Sequence, residues 1–253
     1  MLDKITVLLF SPTGGTQRAA MLLAERLAHT VQQVDLSRPD CAPHAFDADD
    51  VVLAAGPVFG GRIPALMAER LRQCQGNGAR AITAAVYGGR AYEDALIELD
   101  DLLAVQGFRV VAAAALLAEH SIVRTLAAGR PDAQDAAQLA DFAVRIADKL
   151  AQGGTDAPHA PGNRPYKEWS GMPVTPAASD ACVACGTCAR QCPAQAIAPD
   201  NPHQTDASKC ITCMRCVAVC PQNARALPPQ VTQMLGEKLA PFAAVRQENE
   251  LYL

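Results

Sequence analysis

Eight of the ten cysteines in this 253-residue chain lie in one short stretch near its end. They form two copies of the spacing C-x2-C-x2-C-x3-C, and proline follows each copy directly. In a small secreted protein such density would indicate disulfides. The regular spacing, and an N-terminus that lacks a signal-peptide pattern, instead favour metal ligation in a cytoplasmic protein. The copies comprise Cys182, Cys185, Cys188 and Cys192, then Cys210, Cys213, Cys216 and Cys220.

The spacing within each copy predicts ligands of a [4Fe–4S] cluster. Three thiolates at i, i+3 and i+6 can surround one corner of a cubane, whereas the fourth, before proline, points to the other cluster. Structural zinc is the alternative, but zinc sites use paired C-x2-C units with four ligands each. We therefore predict two clusters with crossed ligation. One is held by Cys182, Cys185, Cys188 and Cys220, and the other by Cys210, Cys213, Cys216 and Cys192.

Residues 179–226 resemble the bacterial two-cluster ferredoxins. The resemblance implies a small α+β domain that moves single electrons and has no catalytic group of its own. This segment carries four basic and three acidic residues, so it is nearly neutral. Free ferredoxins commonly have an acidic surface. The charge therefore suggests a cluster module that docks within its own chain.

The first 152 residues alternate between strand and helix patterns. Apolar β-rich runs predict five strands, at 4–10, 30–36, 51–55, 80–87 and 108–117. Apolar stripes predict helices at 16–29, 63–74, 92–106 and 131–152. This alternation predicts an α/β fold with a doubly wound parallel sheet. Ligands of such sheets bind at the carboxyl ends of the strands, where the turns after strands one, three and four would meet.

The turn after the first strand reads S-P-T-G-G-T and opens the first helix. Three hydroxyls and the N–H groups of a glycine-rich turn can ring a phosphate, and the helix dipole adds positive potential. The turn has no lysine, so it is not the ATP-type loop. It suits a tightly held monophosphate such as that of FMN. The residues concerned are Ser11, Thr13, Gly14, Gly15 and Thr16.

The S-x-T-G-x-T pattern resembles the phosphate loop of flavodoxins. The resemblance implies a flavodoxin-like five-stranded sheet of order 2-1-3-4-5, with two further loops flanking the isoalloxazine of FMN. Ordinary turn glycines are the alternative for any one loop, but three converging loops favour FMN. The first flanking loop supplies Pro57, Val58, Phe59, Gly60 and Gly61. The second supplies Tyr87, Gly88, Gly89, Arg90 and Tyr92.

Composition divides the chain into four parts. Residues 1–152 form the FMN-binding domain, 153–178 a proline-rich linker, 179–226 the ferredoxin domain, and 227–253 a helix at 228–240 followed by a tail. Proline stiffens the linker, which also carries Tyr166 and Trp169. A mere tether has little use for both aromatic residues. We therefore expect Trp169 to be substantially buried, with the linker running past the flavin edge.

The whole chain is similar to the fused flavodoxin–ferredoxin family. That similarity implies FMN, two [4Fe–4S] clusters and low-potential electron transfer, largely in anaerobic metabolism. Our favoured hypothesis is an electron-transfer protein. Electrons would pass between the clusters, which carry one electron each, and FMN, which carries one or two. The alternative is an FMN-dependent reductase of a small, anionic organic substrate. Shelter of the flavin edge by residues 119–132 and the linker would distinguish the reductase from a simple carrier.

Several residues at the carboxyl edge of the predicted sheet can be interpreted in two ways. His120 and Ser121 either face the flavin and a substrate or belong to an ordinary loop. Four arginines, in turn, either bind an anion or balance an acidic domain. They are Arg62, Arg90, Arg124 and Arg130.

Charge and hydropathy restrict the partners. The net charge of −4 argues against nucleic acid, whose phosphates require an excess of Lys and Arg. No apolar run approaches the ~18 residues of a membrane span. We expect a redox partner protein, either a ferredoxin or a reductase, and leave a small-molecule acceptor and a homodimer open.

Overall fold

A computed structural model describes residues 1–154 and 156–253, so Thr155 of the predicted linker lies outside the described residues. The first part of the chain alternates strands and helices as predicted. The strands are β1 (Leu2–Leu9), β2 (Ala28–Asp35), β3 (Val51–Pro57), β4 (Arg80–Tyr87) and β5 (Arg109–Leu117). The helices are α1 (Gly15–Leu27), α2 (Ala65–Leu71), α3 (Ala95–Val105) and α4 (Ala133–Ala151).

The five strands are parallel and lie in the order 2-1-3-4-5. This is the flavodoxin-like doubly wound order, with its switch point between β1 and β3, and it confirms the predicted fold. Side chains of α1 and α4 pack on one face of the sheet, and those of α2 and α3 pack on the other. Because both faces are covered, the central strands are nearly continuous apolar runs.

The C-terminal tail adds a sixth strand that the sequence did not predict. Strand β8 (Glu250–Tyr252) pairs antiparallel with β5 at the sheet edge. The preceding residue, Asn249, holds the tail in place. Its Oδ1 accepts the Leu117 N–H at 2.8 Å, and its Nδ2 donates to Asp135 at 2.7 Å. The chain thus returns to its first sheet at its end.

The cysteine-rich region is a small α+β unit with internal symmetry. Strands β6 (Ala177–Ala178) and β7 (Arg225–Ala226) pair at its base, and each cysteine repeat contributes one short helix. These helices are α5 (Thr187–Arg190) and α6 (Arg215–Ala218). Helix α7 (Pro229–Ala243) follows, close to its predicted position, and packs against the loop after β5. No helix among residues 1–154 and 156–253 is long and apolar enough to span a bilayer.

Candidate functional site

The eight cysteines of the repeats surround two separate cavities of about 320 Å³ each. The first thiol cavity is lined by Cys182, Cys185, Cys188 and Cys220. The second thiol cavity is lined by Cys192, Cys210, Cys213 and Cys216. In each case three thiols come from one repeat and the fourth comes from the other. The structure therefore brings the cysteines together in the two sets that the spacing predicts.

The fourth cysteine of each repeat accepts a backbone hydrogen bond on its sulfur. The Ala196 N–H donates to Cys192 and the Ala224 N–H donates to Cys220, both at 3.3 Å. These alanines follow their cysteines at the same distance in the two copies, so the duplicated sequence yields duplicated bonds. Hydrogen bonds to ligand sulfurs stabilise the thiolate and tune the potential of an iron–sulfur cluster.

The cysteine environments differ between the two cavities. Burial raises the pKa of the Cys213 thiol to about 12 and also raises the pKa values of Cys210 and Cys216. Cys185 is exposed, and hydrogen bonds from Thr187 lower the pKa of its thiol. The first thiol cavity is thus the one that opens to solvent.

The thiols surround a space and do not converge on a point. Within the described part of the chain, no group of three or more His, Cys, Asp or Glu side chains is arranged to hold a single metal ion. A tetrahedral zinc site needs four sulfurs about 2.3 Å from one centre. Four thiols line each cavity, which is the number of donors that one four-iron cluster uses.

Arg225 is a buried cation beside both thiol sets that sequence reasoning missed. Its guanidinium donates to the carbonyls of Pro202 at 2.6 Å and Pro176 at 2.9 Å, and one Nη lies 3.9 Å from the Cys188 sulfur. The residue is only 2% exposed. Its charge helps to lower the pKa of Cys216, against the larger effect of burial. A lone arginine after a cysteine repeat has no pattern that would reveal this role.

The glycine-bearing loops meet at the carboxyl edge of the sheet and form a cavity of about 470 Å³, here called the loop cavity. Three of the five predicted phosphate-loop residues line it, together with five residues of the flanking loops. They are Thr13, Gly15 and Thr16, and Pro57, Val58, Phe59, Tyr87 and Gly88 from the loops after β3 and β4. Pro12, Val86 and residues 118–121 complete this lining with one cysteine, Cys213.

The predicted phosphate-loop segment has donors and a helix N-terminus that favour an anion. Helix α1 begins at Gly15 and has no acidic residue in its first turn, so its N-terminal potential is unopposed. The Ser11 Oγ accepts the Gln17 N–H at 2.9 Å, which leaves its own proton free to donate. Glu119 is the acidic residue in the cavity wall. Its carboxylate forms an ion pair with Arg124 and accepts the Gly129 N–H at 3.0 Å.

A second and larger cavity, of about 960 Å³, adjoins the loop cavity and is here called the linker cavity. The two cavities share Val58, Phe59, His120 and Ser121 as wall residues. Gly60, Arg90 and Ile122 of the sheet-edge loops add to this wall, and the other walls come from the linker, the cysteine-rich region and α7. Those walls include Lys167, Trp169, Met172, Ile211, Thr212, Leu235, Lys238 and Leu239.

The exposure of Trp169 differs from our expectation. We expected it to be substantially buried, but it is 44% exposed. Its ring lies flat against the backbone of Gly60, where any Cβ would collide with the indole. Gly60 also has a φ of 61°, which favours glycine. Trp169 therefore forms one side of the linker cavity, with its other face open to solvent.

Residues 162–167 of the linker are fastened to α3. Asp94 accepts the backbone N–H groups of Asn163 at 2.8 Å and Lys167 at 2.6 Å. Arg62 bonds Glu98 through two nitrogens, donates to the Lys167 carbonyl at 2.6 Å, and lies 4.8 Å from the centre of the Tyr166 ring. This segment is a fixed wall, as the stiff linker suggested.

His120 orders the loop after β5. Its Nδ1 accepts the N–H groups of Ile122 at 3.2 Å and Val123 at 3.0 Å. Burial, and then repulsion from Arg90, lowers the pKa of the imidazole. Gly88 allows this approach, because a Cβ there would lie 2.7 Å from the His120 Cβ. His120 therefore orders its loop and also lines both cavities, whereas contact with a flavin or a substrate stays a prediction.

Some predicted site residues lie elsewhere. The Tyr92 hydroxyl bonds Glu250 and Tyr252 at 2.8 Å, so its polar end meets the tail. Gly89 faces Ala127 and Leu126. Gly14 and Gly61 take positive φ in the loops, outside the lining of the two cavities.

All four arginines of the sheet edge are paired with carboxylates. Arg62 pairs with Glu98, Arg90 with Glu93, Arg124 with Glu119, and Arg130 with Asp135. Only Arg90 lines the linker cavity. The four arginines therefore form separate ion pairs, as the charge-balancing interpretation predicts.

Comparisons with known proteins give separate matches for the two halves of the chain. Residues 181–225 match the family described as the 4Fe-4S dicluster domain. This match makes the cysteine-rich region an iron–sulfur domain. No curated protein matches the chain.

Solved structures with similar folds align with a little over half of the chain. A flavodoxin from Streptococcus pneumoniae TIGR4 is 20% identical, and the alignment covers 58% of this chain and 99% of that one, with a TM-score of 0.40. Oxidised flavodoxin 1 from Bacillus cereus is 15% identical, with 58% and 98% covered and a TM-score of 0.42. An apo NADH:FMN oxidoreductase is 17% identical, with 58% and 89% covered and a TM-score of 0.42.

Proposed function

We propose that this chain is a low-potential electron-transfer protein that carries FMN and two [4Fe–4S] clusters, of the fused flavodoxin–ferredoxin type. One observation carries the proposal. Cys213 lies in the wall of the second thiol cavity and also in the wall of the loop cavity. A thiol shared by the two cavities brings an iron–sulfur site against the glycine-bearing loops of the sheet edge.

The residues present fit both groups. Four thiols around each apolar cavity are the donor set of a cubane cluster, and they would hold it in the crossed arrangement. Ser11, Thr13, Thr16 and the α1 N-terminus would hold the phosphate of FMN, with Val58, Phe59 and Gly88 beside its ring. Clusters of this kind carry single electrons, and a flavin exchanges one or two.

The difference in exposure between the two thiol cavities suggests the order in which electrons pass them. The first thiol cavity is bordered by the exposed Cys185 and by Val183, which is 63% exposed. The second lies inward, against the sheet edge. We propose that a redox partner protein in the cytoplasm meets the molecule at the first thiol cavity, while the second serves the FMN site.

The linker cavity favours a second candidate function, an FMN-dependent reductase. A simple carrier exposes its flavin edge to partner proteins. Here the loop after β5, the linker and α7 enclose a space next to the loop cavity. Such a space would shelter a small molecule beside the flavin, and the two functions are compatible.

Anaerobic purification followed by cofactor analysis tests the proposal. We expect about eight iron atoms per chain from two four-iron clusters, together with one FMN. Cys213→Ala should then lower the iron content and slow flavin reduction by a reduced ferredoxin. Cys41→Ala, which removes a thiol outside the repeats, is the matched control. Zinc in place of iron, or equally fast flavin reduction in the Cys213 variant, would overturn the proposal.

A further inference from the structure

We infer that the linker cavity is a binding site for an organic anion with an apolar body, of the aryl carboxylate class. The inference rests on the proposed function, because it takes the loop cavity to be filled by FMN. It goes further by naming the chemistry of the molecule that the neighbouring space accepts.

The charge of the cavity wall carries the first step. Three cationic side chains line the linker cavity, Arg90, Lys167 and Lys238, and its lining contains no acidic residue. Glu93 stands behind this wall and pairs with Lys167 at 2.6 Å and with Arg90 at 3.0 Å. One carboxylate thus offsets one of three positive charges. The surplus of two favours an anion.

The remainder of the wall selects an apolar body. Ile122, Met172, Leu235 and Leu239 line the space, with the indole of Trp169 at its side. Small-molecule sites are typically lined by apolar side chains with a few fixed polar groups. A bare inorganic anion would leave these apolar side chains facing water, whereas an aryl carboxylate would cover them and present its charge to the lysines.

The site is formed by parts of the chain that are far apart in sequence. The loop after β3 supplies Phe59 and Gly60, the linker supplies Lys167 and Trp169, and α7 supplies Lys238. Hydrogen bonds from Arg62 and to Asp94 hold the linker wall in place. Helix α7 is held by its leucines, Leu235 and Leu239, which pack on the loop after β5. The walls are therefore in place before a ligand arrives.

Calorimetric titration of the anaerobically purified full chain with trans-cinnamate tests the site, with the neutral trans-cinnamamide as the charge control. Cinnamate should bind about ten-fold more tightly than the amide, because its charge meets Lys238 and Lys167. Trp169 is the only tryptophan, so a change in its emission on binding would place the ligand in this cavity. Lys238→Gln should weaken cinnamate binding about ten-fold and leave amide binding unchanged. Lys209→Gln, an exposed lysine of the cysteine-rich region, should change neither.

Three results would overturn the inference: equal binding of cinnamate and the amide, no binding of either, or an unchanged affinity in Lys238→Gln. Release of FMN by cinnamate would also overturn it, because the cavity would then be part of the flavin site. The FMN content of the same sample tests the proposed function separately. Cinnamate binding without FMN would reject the flavin and keep the anion site. Stable FMN without cinnamate binding would do the reverse.

Discussion

Cys213 shows how one side chain can belong to two sites. It is the second cysteine of its repeat, yet it borders both the second thiol cavity and the loop cavity. The spacing of the repeat predicts its role as a cluster ligand. It does not predict its place in the loop cavity, because the sheet edge there comes from residues far earlier in the chain.

The crossed arrangement of thiols gives the first prediction. Cys220→Ala should damage the cluster that also uses Cys182, Cys185 and Cys188, because these four line one cavity. Anaerobic EPR of the reduced protein should show one cluster signal lost and the other kept. Cys74→Ala, at a buried thiol outside the repeats, should keep both. Loss of the cluster of Cys210, Cys213 and Cys216 in the Cys220 variant would contradict crossed ligation.

Thr13 gives the second prediction. It lines the loop cavity with its hydroxyl side chain, and Thr13→Val keeps the shape while removing a donor to a charged phosphate. A hydrogen bond to a charged group contributes roughly 1.5–3 kcal/mol, so FMN affinity should fall about ten- to a hundred-fold. Fluorescence titration of the flavin measures the change.

The matched control is Thr30→Val, on the exposed edge strand β2, which should leave FMN affinity unchanged. The iron content should be wild-type in both variants. An unaltered affinity in Thr13→Val would show that this loop does not hold the phosphate.

At the scale of elements, the contact between α3 and β4 contains a buried acid. Thr83 on β4 donates to Asp100 on α3 at 2.5 Å. Burial, with repulsion from Asp101, raises the pKa of Asp100 to about 7. An aspartic acid in the unfolded chain ionises near pH 4. Between about pH 4 and 7 the folded state therefore holds a proton that the unfolded state has lost, and stability falls as pH rises.

Asp100→Asn should remove this contribution to the pH dependence. Between pH 5 and pH 8 the variant should lose less stability than the wild type, measured as the change in Tm. Comparing the two proteins cancels the effects of other titrating groups. Asp148→Asn, an exposed acid on α4, should follow the wild type. Parallel changes in Asp100→Asn and the wild type would contradict the prediction.

The attachment of β8 gives the fourth prediction. Asn249→Ala would leave the buried Leu117 N–H without its acceptor and Asp135 without one of its donors. An unsatisfied buried group costs about 1–3 kcal/mol, so the free energy of unfolding should fall by about that amount in urea denaturation. Gln230→Ala, at an exposed position of α7, should change it by less than about 0.5 kcal/mol. Equal stabilities would show that the tail is not held by Asn249.

The sequence predicted those elements whose signal is local and periodic. Strand β4 was predicted at its observed bounds. The cysteines line the two thiol cavities in the predicted sets, whereas their ligation of clusters stays a prediction. Strand β8 was missed because three residues are too few to show alternation. The exposure of Trp169 was misjudged because it depends on Gly60, a residue over a hundred positions earlier. The linker cavity could not be predicted, since no single segment contains more than a part of its wall.

At the scale of the whole molecule, Arg215 joins the cysteine-rich region to the sheet. Its Nη2 donates to the Ser37 Oγ at 3.0 Å and lies 3.7 Å from Asp35. Arg70 makes a second link, to the Pro193 carbonyl at 2.7 Å. Each link involves a residue next to a cysteine of the repeats. Arg215 precedes Cys216, and Pro193 follows Cys192. They fix the position of the second thiol cavity relative to the loop cavity.

Arg215→Gln gives the fifth prediction. Loss of a partly exposed ion pair should weaken docking by about 1 kcal/mol and slow cluster-to-flavin transfer, seen by stopped-flow absorbance. Iron and FMN contents should stay at wild-type levels. Lys209→Gln removes the same charge at an exposed site away from the sheet and should keep the wild-type rate. Unchanged transfer in Arg215→Gln would mean that this contact does not set the distance.

The return of the chain to its first sheet has a kinetic consequence. Because α4 precedes the cysteine-rich region and β8 follows it, that region is fastened to the sheet at both ends. A domain on a single tether reaches its acceptor by diffusing through solvent, and added glycerol retards it. A region that is attached at both ends does not need to diffuse to its acceptor. Intramolecular transfer in this protein should therefore be insensitive to solvent viscosity and to dilution.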